Sequence, residues 1–233
     1  MRPSFFFDRS SRSGRASAAR RCVLASLIVA LALVMPAGPS GFVAGASASV
    51  PQPDAVPTRW QLDFQVGPMR LITLESDTGE PRAWWYMTLE VENNSGRDQF
   101  FVPAFDLTTD EGQVVRAGRG VPGKVYRELL DLLDDPLLDT QFAVQDVLLQ
   151  GEENARRVLI VWPAADLDAD ELSVFFIGFS GENEAYRVRD PETGELREFV
   201  LRKTYRVDYC VPGEMWNRGS RPFERCGSQW VLR

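Results

Sequence analysis

From Trp85 onward the chain alternates apolar and polar residues, the period of a half-buried strand. Trp85, Met87, Leu89 and Val91 fall on one face, and Trp84, Tyr86, Thr88, Glu90 and Glu92 on the other. Asn93-Asn94-Ser95-Gly96 follows, residue types that tolerate the backbone of a tight reversal. Phe100, Phe101, Val102 and Phe105 are then expected to bring the chain back beside the first strand. Upstream, Trp60 to Val66 alternates in the same way, and Met69 to Glu75 continues extended after Gly67-Pro68. Gln113 to Arg116 reads as a short strand. At Lys124 the period changes: Val125, Leu129, Leu132 and Leu133 mark one helical face, with Tyr126 and Leu130 beside it. Pro136 ends that helix, placed at about 124–134.

Val158 to Trp162 and Val174 to Ile177 are apolar on both faces, as interior strands are. Asp190-Pro191-Glu192-Thr193-Gly194 is a turn joining Ala185–Arg189 to Leu196–Tyr209. The second of these strands puts Phe199, Leu201, Tyr205, Val207 and Tyr209 on one face, with Lys203 among them. Ser228 to Leu232 closes the pattern as a last strand. Many short strands between turn signals, with one inserted amphipathic helix, predict a mainly-β fold: an antiparallel, immunoglobulin-like β-sandwich over 59–233. The helix is expected to lie against a sheet.

The first 48 residues are of another kind. They carry six Arg and one Asp, which leaves the remainder at −12 against the whole chain's −7. Val23 to Val34 is an apolar run of signal-peptide length, and Ala46-Ser47-Ala48 or Ala44-Gly45-Ala46 fits a cleavage site. Residues 1–48 are therefore expected to be a removable secretion signal, followed by a Pro-rich linker at 49–58. Arg20-Arg21 hints at twin-arginine export. The mature chain is placed in the periplasm, at the cell surface or outside the cell, with no membrane span left after cleavage. Its acidity argues against nucleic acid or anionic membrane as a partner. Cys22 leaves with the signal, so Cys210 and Cys226 are expected to form a disulfide around a Gly-, Pro- and charge-rich loop, worth about 3 kcal/mol on the loop-entropy account.

The chain has no histidine. That removes imidazole bases, His-based triads and most zinc sites. Gly118 to Val125 nearly spells a phosphate loop, but Val125 stands where a hydroxyl must meet magnesium and Pro122 removes an amide from the cradle. It reads as a glycine-rich turn. Asp166, Asp168 and Asp170 resemble the opening of a calcium loop, yet Glu171 and Ile177 stand where Gly and Glu are required. A weak metal site there is set against a solvated acidic loop. Gly178-Phe179-Ser180-Gly181 lacks the spacing of a nucleophile elbow. Asn93-Asn94-Ser95 satisfies a glycosylation sequon but also makes a good hairpin turn. The remaining candidate is the second face of the central strand. Left open, Trp84 and Tyr86 above Glu90 would suit stacking on a sugar or anchoring a protein. Large aromatics are mostly buried, which favours cover by the helix or the opposite sheet.

As a set, several segments resemble those of exported proteins from planctomycete-type bacteria to which no activity is assigned. They are Trp85-Tyr86 through Asn93, Gly118 to Val121, Leu149 to Ala155, Trp162-Pro163, Gly178 to Glu182, Lys203-Thr204, Val211 to Gly213 and Trp230 to Arg233. The resemblance implies export and a β-rich fold. It implies no chemistry. The expected function is that of a non-catalytic envelope protein without a cofactor, binding another envelope protein or contributing structurally. The alternatives are a carbohydrate- or calcium-binding sandwich, so that a glycan is the other partner considered, and a hydrolase using paired carboxylates.

Overall fold

The computed structural model describes residues 51–76, 78–164, 167–211, 215, 219 and 221–233. The expected secretion signal lies outside them. The strands are β1 (Asp63–Val66), β2 (Arg70–Glu75), β3 (Pro81–Glu92), β4 (Gln99–Phe101), β5 (Ala104–Thr109) and β6 (Val114–Arg116). After helix α1 (Gly123–Leu133) come β7 (Leu138–Thr140), β8 (Asp146–Leu148), β9 (Arg156–Pro163), β10 (Glu171–Ile177), β11 (Asn183–Arg189), β12 (Leu196–Cys210) and β13 (Glu224–Leu232).

The long alternating strand β3 organises one sheet. β1 pairs with its second half and β2 with its first, and β9 runs along its other side, followed by β7. The other sheet runs β11, β12, β10, β5, β6, with β13 also on β12. Every pair is antiparallel except β7 with β9. The two sheets bury one core, and the alternation predicts which side chains enter it. Trp85, Met87, Leu89 and Val91 of β3 meet Val174 and Phe176 of β10 and Val207 and Tyr209 of β12 there. The mainly-β sandwich with one inserted helix is thus what forms.

β9 is apolar on both faces because it is covered on both. Val158, Ile160 and Trp162 enter the sandwich core, while Leu159 and Val161 join a second cluster under α1 with Trp84, Tyr86, Val125, Tyr126 and Leu129. The helix is a third layer. It starts at Pro122 without a side-chain cap and ends at Asp134, whose left-handed backbone turns the N–H back to Leu130 O. Its buried face is centred between Val125 and Tyr126, so Leu132, expected on that face, is turned outward and 60% exposed.

Candidate functional site

The aromatic face proposed from the sequence is not a surface. Trp84 and Tyr86 are 2% and 5% exposed beneath α1. An apolar helix face needs apolar cover, and these two rings supply it. Burial also holds the Tyr86 phenol above its ordinary pKa. Glu90 lies beyond the helix and is bound elsewhere: it accepts from Arg157 Nε at 3.0 Å, and Arg157 also donates to Asp135 at 3.1 Å. A platform of rings above a free carboxylate therefore does not exist on β3.

The acidic run also fails to converge. Asp166 lies outside the described residues. Asp168 and Asp170 flank the buried Ala169 and point outward, and the backbone of Asp170 is bonded to Asp110 Oδ2 and to the Val211 N–H. No group of three metal-binding side chains occurs among the described residues. The phosphate-loop look-alike is a crossover from β6 to α1, with the Gly118 N–H spent on Val161 O at 2.8 Å. Asn93 is buried, its amide donating to Arg97 O and Leu148 O, so the sequon serves as a turn, but the expected hairpin does not form: the chain beyond it pairs with β8 and β10 instead of returning beside β3. Cys210 and Cys226 are bonded, with Cα atoms 5.8 Å apart, within the usual range for a disulfide.

The unexpected feature is β12. Its C-terminal half lies between two neighbours, β10 from Tyr205 to Cys210 and β13 from Lys203 to Cys210. Its N-terminal half, Leu196 to Leu201, pairs only with β11, while Arg202 also exchanges backbone bonds with Arg233. β10 and β11 form one side of a long hairpin interrupted by a bulge. From Phe176 to Asn183 the chain takes seven steps, while β12 takes three from Tyr205 to Arg202. The bulge uses glycine for room. At Gly178 φ is +94°, and a Cβ there would meet Val102 O at 3.0 Å. At Gly181 a Cβ would overlap the Trp60 indole.

Glu182, in the bulge, and Lys203, on β12, plug the end of the core. Both are buried, with Lys203 Nζ 2.7 Å from Glu182 Oε2. Lys203 also donates to Asp54 O at 3.1 Å and lies 5.4 Å from the Trp230 ring centre, and the Asp54 N–H donates to Glu182 at 2.9 Å. The Pro-rich stretch read as a linker is thus tied to the sandwich at Asp54. Burial alone pushes the Glu182 carboxyl up, but the bonds from Lys203 and Asp54 and the ammonium charge outweigh it and hold the group below its usual range.

Beyond this plug, β11 and β12 continue as a two-stranded arm of seven residue pairs, about 20 Å of ribbon. Alternation carries the core-facing side of β12 outward as Leu201 and Phe199. β11 adds Tyr186, opposite Phe199, and Val188. Leu201 and Tyr186 are half-buried, but among the described residues no layer covers Phe199, 49% exposed, or Val188, 39%. The other face shows Val200 and Leu196, with the surface pair Arg187–Glu198 at 2.7 Å. A smaller apolar surface lies on the β4–β8 ribbon, where Phe100 and Val147 are directly opposite and exposed. A groove of about 440 Å³ beside β1 has the half-buried rings of Phe64, Tyr205 and Trp230 in its wall, with Arg225 bonded to the Tyr205 hydroxyl. The sequence signal for the arm was present. The Phe199–Tyr209 stripe is longer than the sheet opposite it, and the strongly marked turn at 190–194 stands at its tip.

Among the described residues no helix is long and apolar enough to cross a membrane. Comparison of the chain with protein-family models, curated proteins and solved structures found no match, so the geometry alone carries the functional reading.

Proposed function

We propose that the chain is an exported, non-catalytic binding module whose arm, residues 183–202, docks on another protein of the cell envelope. The observation that carries this reading is the continuation of the core face of β12 beyond the core, through half-buried Leu201 to exposed Phe199, with exposed Val188 of β11 beside it. Two-stranded ribbons are marginal in water, and contiguous exposed apolar side chains mark interaction surfaces. Tyr186 and Phe199 supply rigid aromatic contact area, and the ion pairs Arg187–Glu198 and Arg197–Asp190 hold the ribbon in register.

The test is in-cell crosslinking of the tagged mature protein, compared with a variant in which Glu184–Leu201 is replaced by an Asn-Gly turn. A specific envelope protein captured by the first and lost in the second is the expected result. The same capture by both, or none by the first, overturns the proposal. A glycan is the second reading, favoured by the Tyr205–Trp230 groove; glycan-array binding lost on Trp230→Ala and kept in the arm-shortened variant would replace the first reading with this one.

A further inference from the structure

A cavity of about 790 Å³ opens at the β2–β3 corner, and no residue of the arm lines it. Leu71, Ile72, Ala83, Trp84, Leu167 and Met215 give it apolar walls. Met215 lies inside the loop closed by Cys210 and Cys226, so that loop contributes to the wall. Its volume is within the range of sites that enclose small molecules.

Among the described lining residues polar side chains are few. Arg82 is the single charged residue among the described lining residues. It is exposed and makes no ion pair with a described carboxylate. Trp84 also lines the cleft; it is 2% exposed and adds apolar ring edge to the wall. Apolar walls reward burial of an apolar body in proportion to area. A cation, with no carboxylate in the described lining, favours an anionic head over a cationic one.

We propose that this cleft binds a small anionic amphiphile: a carboxylate or sulfonate paired with Arg82, on an apolar body held against Leu71, Ala83 and Met215. The proposal is independent of what the arm binds.

The test titrates the mature protein with 8-anilinonaphthalene-1-sulfonate and with the neutral N-phenyl-1-naphthylamine, following fluorescence. Saturable one-to-one binding of the sulfonate probe is expected, with displacement by dodecanoate or by naphthalene-2-carboxylate. Whichever competitor acts assigns an aliphatic or an aromatic body. Arg82→Ala is expected to weaken the sulfonate probe about tenfold, the scale of one charge-assisted hydrogen bond, and to leave the neutral probe unchanged. Ala164→Trp, which fills the cleft, is expected to abolish both. The arm-shortened variant is expected to bind as the parent does, which separates the cleft from the exposed apolar arm. Failure to saturate, failure of both competitors, an unchanged sulfonate affinity in Arg82→Ala, or loss of binding with the arm overturns the proposal.

Discussion

At the scale of the residue, burial decides what each prominent side chain does. Trp84 carries a polar N–H and a broad ring, the features of a binding residue, yet both are buried under α1, the N–H without a partner. Trp84→Ala is expected to cost about 3–5 kcal/mol in denaturant unfolding, as large aromatic truncations in cores do, whereas Phe199→Ser in the arm changes stability by about 1 kcal/mol or less. Tyr209 is a second case. Burial pushes its phenol up to about 12, and its hydroxyl has no hydrogen-bond partner. The unfolded chain releases this proton near pH 10, two units before the folded one. Full stability therefore holds below pH 10 and falls by up to about 3 kcal/mol as pH rises to 12. Tyr209→Phe removes that part of the fall, and unfolding curves between pH 9 and 12 measure it. Because the orphaned hydroxyl goes as well, the variant at pH 7 is expected to be no less stable than the parent.

At the scale of the element, period and composition made much of the fold legible. β3, β9, β10, α1 and the 190–194 turn follow from alternation, two-faced apolar runs and helical spacing. The short strands β7 and β8 do not, because three residues carry no readable period and their pairing depends on distant partners. The face of β3 under α1 could be read either way, since alternation names a face without naming its cover. The Lys203–Glu182 plug was hidden for a related reason. Lys203 stood in an apolar stripe, and its partner lies across a bulge whose register no sequence period records. Glu182→Gln is expected to destabilise by about 3–5 kcal/mol by leaving the ammonium buried without its counter-ion. Since folding depresses the Glu182 pKa, the pair's contribution is present above the ordinary carboxylate pKa and is lost as pH falls through the lower folded value. Acid unfolding of the parent is therefore expected to be steeper than that of the variant.

At the scale of the whole molecule, the central claim is that β12 changes role at Lys203. C-terminal to it the strand is core, held between β10 and β13; N-terminal to it the same face runs out to exposed Phe199, where we propose a partner docks. The disulfide, the Asp54 tie and the aromatic network from Phe105 to Trp230 all lie outside the arm. Amide hydrogen exchange along β12 in the dilute, isolated mature protein tests this division most directly. The account predicts slow exchange for the bonded amides of 203–210, near the global unfolding limit, and exchange faster by orders of magnitude for those of 184–201. Uniform slow exchange along all of β12 would contradict it, because the arm would then already be covered within the protein itself.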